Sequence, residues 1–162
     1  MKKLILAIAT LSTLALSPVM HAAEFTKGAL VIDSPTAPPT APGQPHGAVF
    51  INEIRNSGKT ADQLIGARSA VSKTMEVHRM SMDNNIMKMR EIPSIPVPAN
   101  GKVSMQRGNP DGYHLMLMHL AKPLNDGDKF SVTLIFKNAG EQNVTVEVKK
   151  PQGMGHGGHM KH

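Results

Sequence analysis

The chain has 162 residues with twelve methionines, eight histidines, no cysteine and no tryptophan, and a formal net charge of +6. Without a thiol it cannot build thiolate metal sites, exchange disulfides or form the usual His/Cys blue-copper centre. The basic excess is mild, and with one tyrosine and no basic cluster interleaved with aromatics it excludes nucleic acid as an expected partner.

Met1-Lys2-Lys3 runs into an apolar stretch, Leu4 to Leu16, broken only by Thr10, Ser12 and Thr13. A short positive segment before an apolar run too short to cross a bilayer reads as a secretory signal peptide, here residues 1–22. The small residues Ala22 and Ala23 place the start of the exported chain at Ala23 or Glu24. A lipidated form is not expected, since there is no cysteine to acylate. Loss of Lys2 and Lys3 leaves sixteen basic and twelve acidic residues, a net +4. The remaining length, about 140 residues, suits one domain.

Ala29-Leu30-Val31-Ile32 gives the first strand signal. Ser34 to Pro45 holds five prolines and reads as an extended loop, because proline cannot donate to a ladder. β character resumes from His46 to Ile54, ends at the turn Asn56-Ser57-Gly58-Lys59, and is weaker from Leu64 to Val71. Thr74 to Met82, the turn Asp83-Asn84-Asn85 and Ile86 to Ile92 then make a hairpin. Pro93, Pro96 and Pro98 interrupt the next stretch. Gly101 to Arg107, Tyr113 to Leu120, Lys129 to Phe136 and Asn143 to Lys149 supply the remaining strands, joined by Gly/Asn/Asp turns. Short, regularly spaced strands without an amphipathic helix predict an all-β fold, an antiparallel β-sandwich over residues 23–150. Residues 151–162 contain nothing to fill a core and read as a flexible His/Met-rich tail.

Two segments combine imidazole with thioether. One is His78-Arg79-Met80-Ser81-Met82, with Met87-Lys88-Met89 returning across the turn; the other is His114-Leu115-Met116-Leu117-Met118-His119. Alternate strand residues share a face, so His114, Met116 and Met118 point one way while Leu115 and Leu117 fill the core. The same parity groups His78, Met80 and Met82, and the hairpin brings Met87 and Met89 alongside them. Thioethers are soft, neutral donors that suit Cu(I), whereas Cu(II) prefers more nitrogen or oxygen and Mg²⁺ or Ca²⁺ prefer oxygen. A neutral His₂Met₂ set binds Cu(I) without the proton release that thiolates require. Taken singly, any of Met75, Met80, Met82, Met87, Met89, Met105, Met116 or Met118 is packing rather than ligand; two His-x-Met triplets on strands in a chain without cysteine shift that reading to metal. His46, beside the proline-rich loop, reads as surface, and His119, of opposite parity to His114, as outside the site.

At these residues the chain resembles the periplasmic copper chaperones of the PCuAC family. Their motif is a His, optionally followed by Met, then ten residues, Met, about twenty-one residues, and His-x-Met. His78 and Met89 are separated by ten residues here, and His114-Leu115-Met116 supplies the last element. Ile86 to Arg90, Gly112 to Met118 and Lys122 to Asp128 also look like the family, and the likeness covers about residues 28 to 149. Arg79 stands at the optional methionine position, and twenty-four residues separate Met89 from His114; the surplus is placed in the turn Gly108-Asn109-Pro110-Asp111, where length is cheap.

The resemblance implies a cupredoxin-like β-sandwich working in the periplasm. It implies one Cu(I) held by His78, Met89, His114 and Met116 and delivered toward the copper centre of a respiratory terminal oxidase. The recipient would be a copper-accepting periplasmic or membrane-anchored assembly protein, or the oxidase copper subunit. Nothing near the histidines supplies a nucleophile or a carboxylate pair, so a carrier is expected rather than an enzyme, and a monomer. A transfer protein needs reachable ligands, expected here on a hairpin and a strand edge. Met80, Met82, Met87 and Met118 are expected to form a soft apron around the ligands. In the tail, Met154, His156, His159, Met160 and His162 are expected to take a second metal, Cu(II). The readings set against these are a periplasmic copper store, copper redox catalysis, and a sandwich that only binds another polypeptide.

Overall fold

Proline, glycine and asparagine cut the chain into short β segments. The computed structural model describes residues 23–151 and contains thirteen strands, with no helix among those residues. The expected signal peptide and all but the first residue of the expected tail lie outside them.

One sheet joins β1 (Glu24–Lys27), β2 (Leu30–Asp33), β5 (Ile51–Asn56) and β10 (Gly101–Met105) in that order. A second runs β4 (His46–Val49), β11 (Tyr113–Leu120), β7 (Ser72–Asp83) and β8 (Ile86–Glu91). The third runs β3 (Thr36–Ala37), β13 (Gly140–Val148), β12 (Lys129–Phe136), β6 (Asp62–Arg68) and β9 (Ile95–Val97). All three bury alternate side chains in one core, with Ile32, Ile54, Leu115, Val132 and Val146 among its fully buried members. Each such aliphatic side chain contributes about 1.5–3 kcal/mol. The fold is the expected all-β, cupredoxin-like sandwich.

Three local features depart from the expected elements. β1 pairs with β2 as a hairpin turning at Gly28, whose φ of 59° suits a residue without Cβ; its short polar sequence gave no strand signal. Thr36 and Ala37, inside the proline-rich stretch, pair in parallel with β13, so the sandwich is not wholly antiparallel. β9 carries Pro96 but lies at the end of its sheet, where a missing N–H is tolerated. At Phe50 the chain leaves the second sheet and enters the first, so β4 and β5 form one nearly continuous run through two sheets.

Candidate metal centre

β11 is an inner strand, between β4 and β7, and its alternation sorts its side chains by sheet face. Leu115 and Leu117 face the core beside Val49 and Val77 and are fully buried. The other face carries His114, Met116 and Met118, as parity predicted. In the β7–β11 ladder His78 stands directly opposite His114, with ring centroids 5.6 Å apart. In the β7–β8 ladder Met80 stands opposite Met89, and Met82 opposite Met87. Asn84 and Asn85, both with φ near 50–60°, make the two-residue turn that sets this register. The fold thus brings His78, His114, Met116 and Met89 onto one face and adds Met80, which is only 8% exposed. Met105 is in the core and Met75 packs against it, away from this face. Met154, His156, His159, Met160 and His162 lie outside the described residues.

A depression of about 270 Å³ opens over this face, and His46, Phe50, Met80, Met89, His114 and Met116 are among its lining residues. Three larger depressions occur elsewhere among the described residues, and none is lined by His or Met. Donor chemistry, not size, picks out the candidate. Phe50 stacks on His114 at 5.8 Å, and Pro38 and Pro39 close the rim. The proline-rich loop is held along its length: Pro35 and Ala37 accept backbone hydrogen bonds from Glu147 and Lys149, and Pro45 accepts one from Leu120. Thr36 and Phe50 exchange both backbone hydrogen bonds at 2.8 Å, and Thr40 donates its N–H to the Leu124 carbonyl while its hydroxyl oxygen accepts from the Leu124 N–H.

Electrostatics divide the two imidazoles. His114 is 2% exposed, and its Nδ1 is buried without a hydrogen-bond partner. Burial, with a smaller contribution from the neighbouring His78, lowers its pKa to about 4. The ring is therefore neutral near pH 7 and keeps a free lone pair. His78 Nε2 lies 2.8 Å from a Glu76 carboxylate oxygen. In the neutral ring Nε2 donates to that carboxylate, leaving Nδ1 as the electron-pair donor. Metal-binding histidines are commonly oriented in this way.

Several expectations need correction. No carboxylate pair was expected near the histidines, yet Glu76 touches His78 and Glu91 stands opposite His78 in the β7–β8 ladder. Glu76 lies two residues before His78, so strand parity alone could have found it. The strand-edge placement holds only for Met89, which is 58% exposed on the end strand β8; His114 and Met116 are on an inner strand. His46 was read as surface, but its Nδ1 is buried and without a partner. Arg79 faces away from His78 and holds its guanidinium 6.0 Å from the Tyr113 ring, so the optional methionine position does not point at the site. No three His, Asp or Glu side chains among the described residues converge as a metal site.

A family model described as "Putative lipoprotein LpqE-like" matches residues 30–148. The chain is 33% identical over 98 residues to "Putative lipoprotein Lxx21020" of Leifsonia xyli subsp. xyli, covering 60% of this chain; it spans 57% of that relative's length. Among solved structures it is similar to the copper-bound PCuAC domain from PmoF2, at 25% identity and a TM-score of 0.66, over 80% of this chain and 99% of that one. It is also similar to Cu(I)-bound DR1885 from Deinococcus radiodurans, at 25% identity and a TM-score of 0.58, over 82% and 83% of the two chains.

Proposed function

From the premise that the chain belongs to the LpqE-like family and shares its fold with copper-bound PCuAC domains, we propose that it is an exported copper carrier. The observation that carries this reading is the single sheet face on which two facing imidazoles, one with an unpaired buried nitrogen, meet the thioethers of Met80, Met89 and Met116. One Cu(I) is held by His78, Met89, His114 and Met116, with Met80 beside Met89 in the β7–β8 register. A metal bonded at about 2.0 Å to one nitrogen of each ring fits between rings whose centres are roughly 5–6 Å apart. The 5.6 Å between His78 and His114 meets that requirement. Glu76 orients His78 and offsets the charge of the cation.

Exposure grades the ligands for transfer. His114 is covered, whereas Met89 is open, so an incoming acceptor meets Met89 first and displaces it before the imidazoles. The PCuAC resemblance extends the proposal to a periplasmic or membrane-anchored acceptor and, beyond it, the copper centre of a respiratory terminal oxidase. The family and its curated relative are described as lipoproteins, in keeping with export.

Anaerobic Cu(I) titration against a chromophoric chelator tests the assignment. Met89→Leu or Met116→Leu should weaken binding at least tenfold, and Met75→Leu or Met105→Leu should leave it within twofold. X-ray absorption of the one-to-one complex should contain both nitrogen and sulfur at copper; nitrogen and oxygen alone would sink the ligand set. A chain that binds no Cu(I) would instead be a protein-interaction sandwich.

A further inference from the structure

His46 and His119 stand apart from the motif, but the fold brings them to each other. Their ring centroids are 5.8 Å apart with planes at 74°. His46 is paired in register with Met118, on the face that carries Met116 and His114. In a regular strand His119 would point away from that face. Its φ of 55° turns the backbone instead, so the imidazole meets the edge of His46. Positive φ is uncommon outside glycine, and histidine is among the few residues enriched there; such strain clusters at functional positions.

Two further observations point to a ligand. His46 Nδ1 is buried without a hydrogen-bond partner, an arrangement that costs stability unless something fills it. The depression over the main site also reaches His46, so one imidazole of each pair, His46 and His114, borders one space. Met116 and Met118 occupy successive same-face positions between them. With about 3.3 Å of rise per residue, His114 and Met118 are roughly 13 Å apart along β11, and Met116 lies midway. His119 is exposed, so this end of the face is open to solvent.

We propose that His46, His119 and Met118 form a second, weaker Cu(I) site, from which the metal passes by way of Met116 to His114 and His78. This rests on the copper-carrier reading above. Passage is ligand exchange: copper stays Cu(I), no electrons move, and each new Cu–S or Cu–N bond forms as an earlier one breaks. Two imidazoles and a thioether make a sufficient soft set for Cu(I), and the half-covered position makes it the weaker of the two sites.

The test uses the full chain, anaerobic Cu(I) as the only metal, and imidazole ¹⁵N resonances resolved for each histidine. The first equivalent should shift His78 and His114, and the second His46 and His119. His119→Asn removes the imidazole but keeps a residue that tolerates positive φ. It should abolish the His46 shift, leave affinity for the first equivalent within twofold, and slow loading of the main site at least fivefold. If the first equivalent moves His78 and His114 but the second leaves His46 and His119 unmoved, or shifts His156, His159 and His162 instead, the second site is overturned and the carrier reading stands. If His78 and His114 do not respond at all, the carrier reading fails and takes this proposal with it.

Discussion

Leu115 and His114 are consecutive on β11, both almost wholly buried, and on opposite faces of one sheet. On the Leu115 side, water is excluded by hydrocarbon against hydrocarbon, and burial is its own reward. On the His114 side the same degree of burial leaves an imidazole nitrogen without a partner and depresses its pKa. The first face explains why the chain folds. The second is a stability cost that folding alone does not explain, and a cation using the unpaired nitrogen, as proposed, would explain it.

The sharpest way to break this comparison is to cut into the core face. Leu117→Ala should cost about 2–5 kcal/mol in denaturant unfolding, with Cu(I) affinity of the folded fraction unchanged. A comparable loss of affinity would mean that the two faces are not separable.

His114→Leu makes the site face resemble the core face. The copper-free variant should be at least as stable as the parent near pH 7, because an unpaired buried nitrogen costing about 1–3 kcal/mol is gone. Its Cu(I) affinity should fall at least 100-fold. Acid sharpens the contrast. The His114 pKa is about 4 folded and 6.5 in the ordinary state, so between these values the unfolded chain binds more protons. Proton linkage at this ring costs nothing above pH 6.5, and as pH falls toward 4 the parent should lose up to about 3 kcal/mol that His114→Leu retains. Parallel stability curves for the two copper-free proteins over that window would contradict the assignment.

The smallest expected effect comes from the orienting carboxylate. Glu76→Gln should weaken Cu(I) binding about tenfold, the range seen for groups that orient metal-binding histidines. Stability should change by less than about 0.5 kcal/mol, because the hydrogen bond it alters is partly exposed and a Gln amide oxygen can still accept it.

Much of this was legible in the sequence because parity is local. The hairpin from Thr74 to Ile92 was found from its alternation and its Asn-Asn turn, and Tyr113 to Leu120 matches β11 end to end. The shared face of His78, His114, Met116 and Met89 follows from the same counting once the strands are neighbours. Long-range pairing was not legible. That β4 flanks β11, and so brings Phe50 onto His114 and His46 beside Met118, depends on a register between segments some seventy residues apart. His119 escaped because one residue in the left-handed region breaks the alternation from which its direction was inferred. Glu76 shares the parity of His78 in plain view, but a pattern of soft donors carries no signal for a carboxylate that orients one of them.

The anchoring of the proline-rich loop sets a clock. To swing clear of the depression, that loop would have to break the reciprocal Thr36–Phe50 bonds and the buried Thr40–Leu124 pair together, a collective motion of microseconds or slower. Exposed thioether side chains such as Met89, by contrast, change rotamer in picoseconds to nanoseconds. If copper is carried here as proposed, its exchange should be paced by side-chain rotation and by the arrival of a competing ligand, with little change in the backbone around the site.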